Sequence, residues 1–256
     1  HDLSYGVWNK LLKMDQNAFV LQYSGNSSDG YLQTFTTSSD GNTITQVLEK
    51  EWGTKNDVYY PSFIRMSEDT YLTAYYGYNS GIKHDGTSVS NTWGQWLSVF
   101  QIKSDGSVIN ELGNFLHDTY TNSDPYNDLI KIDDDTYALA YKSYNYGPQT
   151  SGSWGGWIKT FKVNGGNINQ INELQHYTSS DSYWHSWERL SATTYALAWQ
   201  GSGGDGYITT FTISTDGATI TEIAELEHDG NNGSYNSFAK LDDDTYVLAY
   251  TGDGSD

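Results

Sequence analysis

The feature that most constrains the fold is a nine-residue motif that recurs along the chain. Its copies are DQNAFVLQY (15–23), SEDTYLTAY (67–75), DDDTYALAY (133–141), SATTYALAW (191–199) and DDDTYVLAY (242–250). An aromatic-led segment precedes each copy: WNKLLKM (8–14), YPSFIRM (60–66), YNDLIKI (126–132), WHSWERL (184–190) and YNSFAKL (235–241). A third motif follows four of the copies: DGYLQTF (29–35), GQWLSVF (94–100), GGWIKTF (155–161) and DGYITTF (205–211). Self-similarity of this kind predicts a repeat architecture.

Each complete repeat predicts four antiparallel strands. The nine-residue motif has apolar or small residues on both faces of a period-2 pattern, which favours a strand in a sheet that is covered on both sides. Fourth strands are expected at ITQVLE (44–49), VINEL (108–112), INQINEL (168–174) and ITEIAEL (220–226). The dipeptides between third and fourth strands favour tight hairpins, and they are Asp40-Gly41, Asp105-Gly106, Gly165-Gly166 and Asp216-Gly217.

Four-stranded units of this length are typical of β-propeller blades. The spacings are 52, 66, 58 and 51 residues between the leading aromatics Trp8, Tyr60, Tyr126, Trp184 and Tyr235. We therefore predict a single all-β domain over 1–256, a five-bladed β-propeller of four-stranded antiparallel blades with an incomplete fifth blade. The predicted repeat units are 1–52, 53–116, 117–175, 176–227 and 228–256.

The fifth repeat contains sequence for two strands, because no copy of the third motif follows 242–250. An open strand edge promotes aggregation. We therefore expect another copy of the chain, or sequence outside this segment, to complete the fifth blade, with a naturally short blade as the alternative. Homotypic assembly through this blade, into fibres or arrays, is accordingly one alternative function.

The repeats resemble a tandem pattern, DGYITTFTIS-DG-TITEIAELEHD…YNSFAKLDDDTYVLAY, found in large predicted secreted or surface proteins of marine bacteria and archaea. Residues 205–250 match it most closely, and residues 53–126 depart from it through a longer insertion. The resemblance covers essentially the whole chain. It implies an extracellular propeller and carries over no catalytic residues.

The composition excludes several classes of protein. The net charge is −19, from 13 Lys and Arg against 32 Asp and Glu, whereas proteins that bind the nucleic-acid backbone need a basic surface. No stretch approaches eighteen consecutive apolar residues, so we expect no membrane insertion. The absence of Cys excludes disulfides and thiol chemistry. The acidic composition, rich in Tyr, Ser, Thr, Asn and Gly, favours an extracellular or cell-surface location.

One repeat position near the end of each first strand is always basic. Its residues are Lys13, Arg65, Lys131, Arg189 and Lys240. A ring of these cations would bind an anion such as a sulfate or an acidic sugar. Alternatively, each cation pairs with a nearby carboxylate, such as those of the turns at 133–135 and 242–244.

Irregular features are better candidates for a binding site than features that every repeat shares. The insertions at 78–96 and 144–157 carry extra aromatic and polar residues, and the fourth repeat has a histidine where the other repeats have Asn or Pro. The candidate ligand-binding residues are His84, Asp85, Trp93, Tyr144, Tyr146, Trp154 and His185. Exposed rings beside amides and carboxylates are suited to sugar recognition. Alternatively, these rings only pin their own loops. The periodic leading aromatics are interpreted as packing between blades.

Catalytic and metal signals are weaker. His185 with Arg189 or Arg65 would supply the base and the cation of a polysaccharide lyase, and carboxylate pairs would serve a glycosidase. Equivalent positions carry His1, His117, His176 and His228, which cannot share one ion across blades and are expected to make loop hydrogen bonds. Calcium is weakly indicated at the Asp/Gly loops 25–30, 201–206 and 252–256, which lack EF-hand spacing. We therefore predict a non-catalytic, glycan-binding extracellular module without a cofactor. A self-assembling module and a polysaccharide-degrading enzyme are the alternatives.

Overall fold

The computed structural model describes residues 6–52, 58–119, 126–145 and 153–253, and these residues form an all-β protein. The first four-stranded sheet contains β1 (Val7–Lys13), β2 (Ala18–Ser24), β3 (Gly30–Thr37) and β4 (Ile44–Trp52). The second contains β5 (Val58–Arg65), β6 (Thr70–Lys83), β7 (Ser88–Ile102) and β8 (Ile109–Asp118). The third contains β9 (Asp128–Lys131), β10 (Thr136–Asn145), β11 (Ser153–Asn164) and β12 (Asn167–Tyr177). The fourth contains β13 (Tyr183–Arg189), β14 (Thr194–Gln200), β15 (Gly206–Ile213) and β16 (Ile220–Asp229).

A fifth sheet contains two strands, β17 (Ser234–Lys240) and β18 (Tyr246–Thr251). In the part of the chain that the structure describes, β18 pairs with β17 alone. Single turns of 3₁₀ helix occur at Asn26–Ser28 and Ser202–Gly204. The described residues contain no helix with the length and hydrophobicity that crossing a bilayer requires. Four-stranded antiparallel sheets, one for each of the first four repeats, confirm the all-β part of the prediction and the four strands expected in each complete repeat.

The nine-residue motif forms the second strand of every sheet. In β14 the side chains from Tyr195 to Trp199 are all buried, as expected for a strand that is covered on both faces. Its last aromatic residue pairs with the aromatic residue that opens the third strand, as in Tyr23 with Tyr31 and Trp199 with Tyr207. The rings of these two pairs stack at 5.3 and 4.8 Å.

The chain divides into two compact units, residues 1–123 with 163–168, and residues 124–162 with 169–256. In the first unit, an apolar core between the first two sheets includes Val20, Leu32 and Phe100, all fully buried. In the second unit, an equivalent core includes Leu197 and Phe211. Each unit therefore has a hydrophobic core of its own.

The glycine of the third-to-fourth turn contacts the preceding sheet. In the first unit, the Thr34 hydroxyl donates to the carbonyl of Gly106 at 2.8 Å. In the second unit, the Thr160 hydroxyl donates to the carbonyl of Gly217 at 2.7 Å. Gly106 and Gly217 have φ of 75° and 73°, so glycine serves both the turn geometry and the close approach.

The rings at the ends of β4, β12 and β16 pack against aromatic residues of the next sheet. Trp52 meets Tyr75 edge to face at 4.9 Å, and His176 meets Trp199 at 5.2 Å in the same way. The ring nitrogens of His176 are buried and make no hydrogen bond in the described part of the molecule. The expectation of a loop hydrogen bond is therefore wrong for His176, because the ring serves as an aromatic surface. His1 lies outside the described residues.

Candidate functional site

The aromatic residue that opens each first strand has an uncommon backbone conformation. φ is positive at Trp8 (52°), Tyr60 (50°), Tyr126 (44°), Trp184 (55°) and Tyr235 (56°). The pairing register of four first strands slips at this point, which places the aromatic residue in a β-bulge. Glycine is the favoured residue there, because a Cβ in the left-handed region crowds the backbone. Each bulky residue in this conformation costs of order 1–3 kcal/mol.

These five residues, named here the first-strand aromatics, contact one another within each unit. In the first unit, the ring centroids of Trp8 and Tyr60 are 4.8 Å apart. In the second unit, Trp184 lies 4.3 Å from Tyr126 and 3.8 Å from Tyr235. Four of the five are partly exposed, and Tyr235 is 61% exposed. The prediction that they pack between sheets is therefore incomplete, because they also present their rings to solvent.

In the second unit, the residues that follow Trp184 and Tyr235 hydrogen-bond to the first strand of the preceding sheet. The Asn236 amide donates to the carbonyls of Trp184 at 3.2 Å and Gly233 at 2.9 Å. His185 occupies the equivalent position in the preceding sheet, and its Nδ1 donates to the carbonyl of Tyr126 at 2.9 Å. Nε2 of His185 then accepts a hydrogen bond from the Ser182 hydroxyl at 2.9 Å.

His185 is buried, and this environment determines its titration. Burial lowers its pKa from 6.5 to about 4, with the Lys142 charge lowering it further and the hydrogen bond to Tyr126 opposing the shift. Both ring nitrogens are engaged, and Arg189 lies at the far end of the same strand. The structure therefore places His185 as a neutral link between two sheets and does not pair it with Arg189 as a lyase would require.

The 78–96 insertion, expected to be a loop, is an extension of the β6–β7 hairpin. Tyr78 pairs directly with Trp93 across the two strands. Trp93 lies 5.8 Å from the ring of Tyr78 and 5.4 Å from the ring of Tyr76. The expectation of an irregular loop is wrong here, because the ladder continues from Tyr78–Trp93 to Ile82–Ser88, with one register shift between Asn79 and Gly81.

A continuous series of rings joins this hairpin to the first strand of the first sheet. From Tyr76 the series passes to Tyr59 at 6.0 Å and then to Trp8 at 5.3 Å. The residues of this surface, named the unit 1 aromatic surface, are Trp8, Tyr59, Tyr60, Tyr76, Tyr78 and Trp93. All six are partly exposed.

The third sheet repeats this arrangement. Tyr144 pairs with Trp154, and their rings meet edge to face at 5.6 Å. Lys142 places its ammonium 5.8 Å from the Trp154 ring and 3.9 Å from the Tyr183 ring, where cation–π attraction holds it. Tyr183 in turn meets Tyr126 at 5.3 Å. The unit 2 aromatic surface comprises Tyr126, Tyr144, Trp154, Tyr183, Trp184 and Tyr235. Tyr146 lies outside the described residues.

His84 and Asp85 are exposed in the turn that closes the β6–β7 hairpin. Hydrogen bonds from the hydroxyl and the backbone N–H of Thr87 lower the pKa of the Asp85 carboxyl. Asp85 is thus occupied in shaping the turn. The two residues are separated from Trp93 along the strand, and no ring contact joins them to the unit 1 aromatic surface in the described residues.

The basic residues lie at the opposite end of their strands. Lys131 pairs with Asp134 at 3.6 Å and Lys240 with Asp243 at 3.4 Å, in the turn that follows each strand. The guanidinium groups of Arg65 and Arg189 donate to two carbonyls of their own turns at 2.7–3.0 Å. Lys131 and Lys240 therefore form the local ion pairs expected as the alternative. Arg65 and Arg189 bond to backbone carbonyls and not to carboxylates.

Lys13, the fifth basic residue, lines an open groove of about 390 Å³ in the first unit. The groove is lined by Lys13, Met14, Asp15, Arg65, Glu68 and Ser104. Two carboxylates oppose its two cations, so its charge does not select for anions. Among the described residues, no group of three or more His, Asp or Glu side chains is arranged to hold a metal ion.

The sequence interpretation missed most of the exposed rings. Periodicity assigned the first-strand aromatics to packing, and Tyr59, Tyr76 and Tyr183 were not singled out. The polar residue after Trp8 can bond to backbone, but by itself it does not indicate the bulge that falls at this pair. Aromatic residues do not ordinarily indicate a left-handed conformation, so its position could not be read from the chain.

No family model matches the chain, and no curated protein matches it. Several solved structures are similar to it. A protein of unknown function from Dyadobacter fermentans is 14% identical, covering 96% of this chain and 75% of its own length at a TM-score of 0.59. The NanB sialidase of Streptococcus pneumoniae is 11% identical, and the match covers 86% of this chain and 32% of the sialidase at a TM-score of 0.58. A Lactobacillus plantarum protein is 12% identical, and the match covers 87% of this chain and 57% of that protein at a TM-score of 0.49.

The chain thus spans a little over half of the Lactobacillus plantarum protein and about a third of the sialidase. Identities this low bear on the fold alone. Together with the four-stranded antiparallel sheets, the similarity to the sialidase supports a propeller-like all-β fold.

Proposed function

We propose that this chain is a non-catalytic carbohydrate-binding module of the extracellular space or cell surface, and that its five sheets are the blades of a β-propeller. The observation that carries the proposal is the set of partly exposed first-strand aromatics, each held at positive φ. The unit 1 and unit 2 aromatic surfaces, which include these residues, are the binding surfaces proposed.

Backbone strain argues that these rings do more than fill space. Glycine would form the same bulge without strain. An aromatic residue nevertheless occupies the position in all five sheets, including Tyr235, whose ring is mostly exposed. Strain that persists at exposed positions is a feature of ligand-binding sites.

The chemistry of the two surfaces fits sugars better than other ligands. Aromatic faces pack on the C–H face of a pyranose, and phenol hydroxyls supply hydrogen bonds to sugar hydroxyls. In the first unit the ring series extends from the first strand to the hairpin pair Tyr78–Trp93. In the second unit the Lys142 ammonium links Tyr183 to the hairpin pair Tyr144–Trp154. A net charge of −19 disfavours polyanions. Neutral glycans are therefore the expected ligands.

A catalytic role has less support. His185, the base considered for a lyase, is buried, has both ring nitrogens hydrogen-bonded and is depressed in pKa to about 4. A general base needs a nitrogen free to reach a substrate proton. Incubation with acidic and neutral polysaccharides should produce neither unsaturated uronate nor new reducing ends.

A glycan array with the fluorescently labelled chain tests the proposal, followed by calorimetric titration of any glycan retained. Trp93→Ala with Trp154→Ala, and separately Tyr235→Gly, should each weaken binding at least tenfold. Phe19→Leu is the matched control, since Phe19 is a partly buried aromatic residue whose partner Lys13 lies at the far end of β1 from Trp8. Absence of any retained glycan, or equal binding by the variants and the wild type, would overturn the proposal.

A further inference from the structure

The fifth sheet exposes surfaces that are buried in every complete sheet. Val247 on β18 is 43% exposed, whereas Val20, the same residue type at the same repeat position, is fully buried. Tyr250 is 40% exposed, whereas its equivalents Tyr75, Tyr141 and Trp199 are completely buried. Among the described residues, no strand pairs with the outer edge of β18.

The facing surface of the fourth sheet is exposed as well. Leu226 on β16 is 62% exposed and Ile223 is 55% exposed. Ile208 on β15 is partly exposed, whereas its equivalents Leu32 and Ile158 are fully buried. The open edge of β18 and this apolar face both belong to the second unit.

The complete sheets specify what covers such a surface. In each, the third strand places a Tyr or Trp against the last aromatic of the second strand, as Tyr207 does against Trp199. In the second and fourth sheets, the following turn then places a glycine carbonyl on a threonine of the preceding sheet, as Gly106 does on Thr34 and Gly217 does on Thr160. Thr210 occupies the position of Thr160 in the fourth sheet, and its hydroxyl donates to Ala224 of its own sheet at 3.3 Å.

From these relations we propose that β18 and the exposed face of β15 and β16 form a docking site for a β-hairpin of the same repeat type. The hairpin would carry the third-strand pattern Gly-Tyr-Ile-Thr-Thr-Phe, an Asp-Gly turn and a fourth strand. Its first strand would pair antiparallel with β18, with aromatic residues opposite Tyr246 and Tyr250. Its turn glycine would lie on Thr210.

We assign the hairpin to a partner segment of this repeat type that is not already paired within a folded copy. In the described chain, the third strands β3, β7, β11 and β15 are all paired with the second strands of their own sheets. A folded copy therefore has no such hairpin to give. Strand addition of this kind gains affinity from backbone hydrogen bonds and specificity from alternate side chains. The inference is independent of glycan binding.

The probe is a fluorescein-labelled peptide of residues 205–229, which holds the third strand, turn and fourth strand of the fourth repeat. Fluorescence anisotropy with the full chain should show saturable 1:1 binding, and amide exchange over Tyr246–Thr251 should slow. Val247→Lys should weaken binding at least tenfold, because it places a charge on the docking surface without disturbing a buried site. Leu11→Lys is the matched control, since Leu11 is 57% exposed on the first sheet.

A peptide carrying Phe211→Asp should bind at least tenfold more weakly than the original. Three results would overturn the inference. One is absence of saturable binding, and another is equal affinity for the wild type and Val247→Lys. The third is a concentration-dependent dimer of the chain alone that Val247→Lys dissociates, which would make a second copy the occupant.

Discussion

The ring of Tyr235 lies 3.8 Å from the ring of Trp184, centroid to centroid, and both residues have positive φ, 56° and 55°. The contact joins the first strands of two successive sheets, β13 and β17. Trp184 also contacts Tyr126, so three strained residues share one ring series in the second unit. Strain and stacking thus coincide at the same residues.

Replacement of Tyr235 by glycine separates the ring from the backbone strain. Tyr235→Gly should be more stable than Tyr235→Ala by about 1 kcal/mol, because alanine keeps the Cβ crowding that glycine removes. Both variants lose the same ring contact with Trp184. Urea denaturation followed by tryptophan fluorescence gives the two free energies of unfolding. An alanine variant as stable as the glycine variant would show that φ at this position is not strained.

The buried histidines predict loss of stability in mild acid. The folded-state pKa of His185 is depressed to about 4, against 6.5 for the free group, so the unfolded state binds more protons between these values. Stability should therefore fall as the pH drops from about 6.5 to 4, by at most about 1.4 kcal/mol per pH unit for this residue. Burial also lowers the pKa of His176 well below its usual range, in the same direction.

His185→Asn tests this assignment. Asn236 shows that an amide at this position can donate to the carbonyl of the preceding first-strand aromatic. The variant should thus keep most of its stability at pH 7.5 and lose less on acidification than the wild type. Unfolding midpoints measured from pH 7.5 to 4 give both slopes, and parallel slopes would contradict a role for His185.

Glycines at equivalent turns offer a matched pair in the first unit. A Cβ on Gly106 would lie 2.9 Å from Cβ of Thr34, whereas a Cβ on Gly41 would meet nothing within 4 Å. Both have positive φ, 75° and 74°. Gly41→Ala should cost about 1 kcal/mol from the backbone alone. Gly106→Ala should cost about 1–3 kcal/mol more, since the neighbouring sheet has to shift. Equal losses in thermal unfolding would show that the turn contact contributes nothing.

The sequence was sufficient to predict the sheets but not the way in which the site is formed. Period-2 patterning and Asp-Gly turns depend on local chemistry, which explains why strands such as β13 and β17 begin within one residue of the predicted positions. The bulge at Trp184 depends instead on a carbonyl that receives a hydrogen bond from Asn236 in the next sheet. A single repeat does not contain that information.

The hairpin insertions show a related limit. Trp96 and Trp157, which occupy the same position in two repeats, are buried in the core. Trp93 and Trp154 were predicted to lie on loops, because composition rich in Gly, Ser and Asn usually indicates irregular structure. Cross-strand partners Tyr78 and Tyr144 extend the ladder instead. Pairing between distant residues overrides the local preference here.

The paired geometry of these hairpins restricts how such insertions can evolve. Side chains alternate between the two faces of a strand, so Trp93 faces the same side as Tyr78 only while the register from Tyr75–Trp96 outward is kept. Adding or removing two residues on each strand keeps both rings on the same face of the hairpin. A single-residue change in one strand would turn its tryptophan away. Changes between the pairs Tyr75–Trp96 and Tyr78–Trp93 are therefore expected in even steps, whereas the irregular step between Asn79 and Gly81 lies beyond the rings and is not limited in this way.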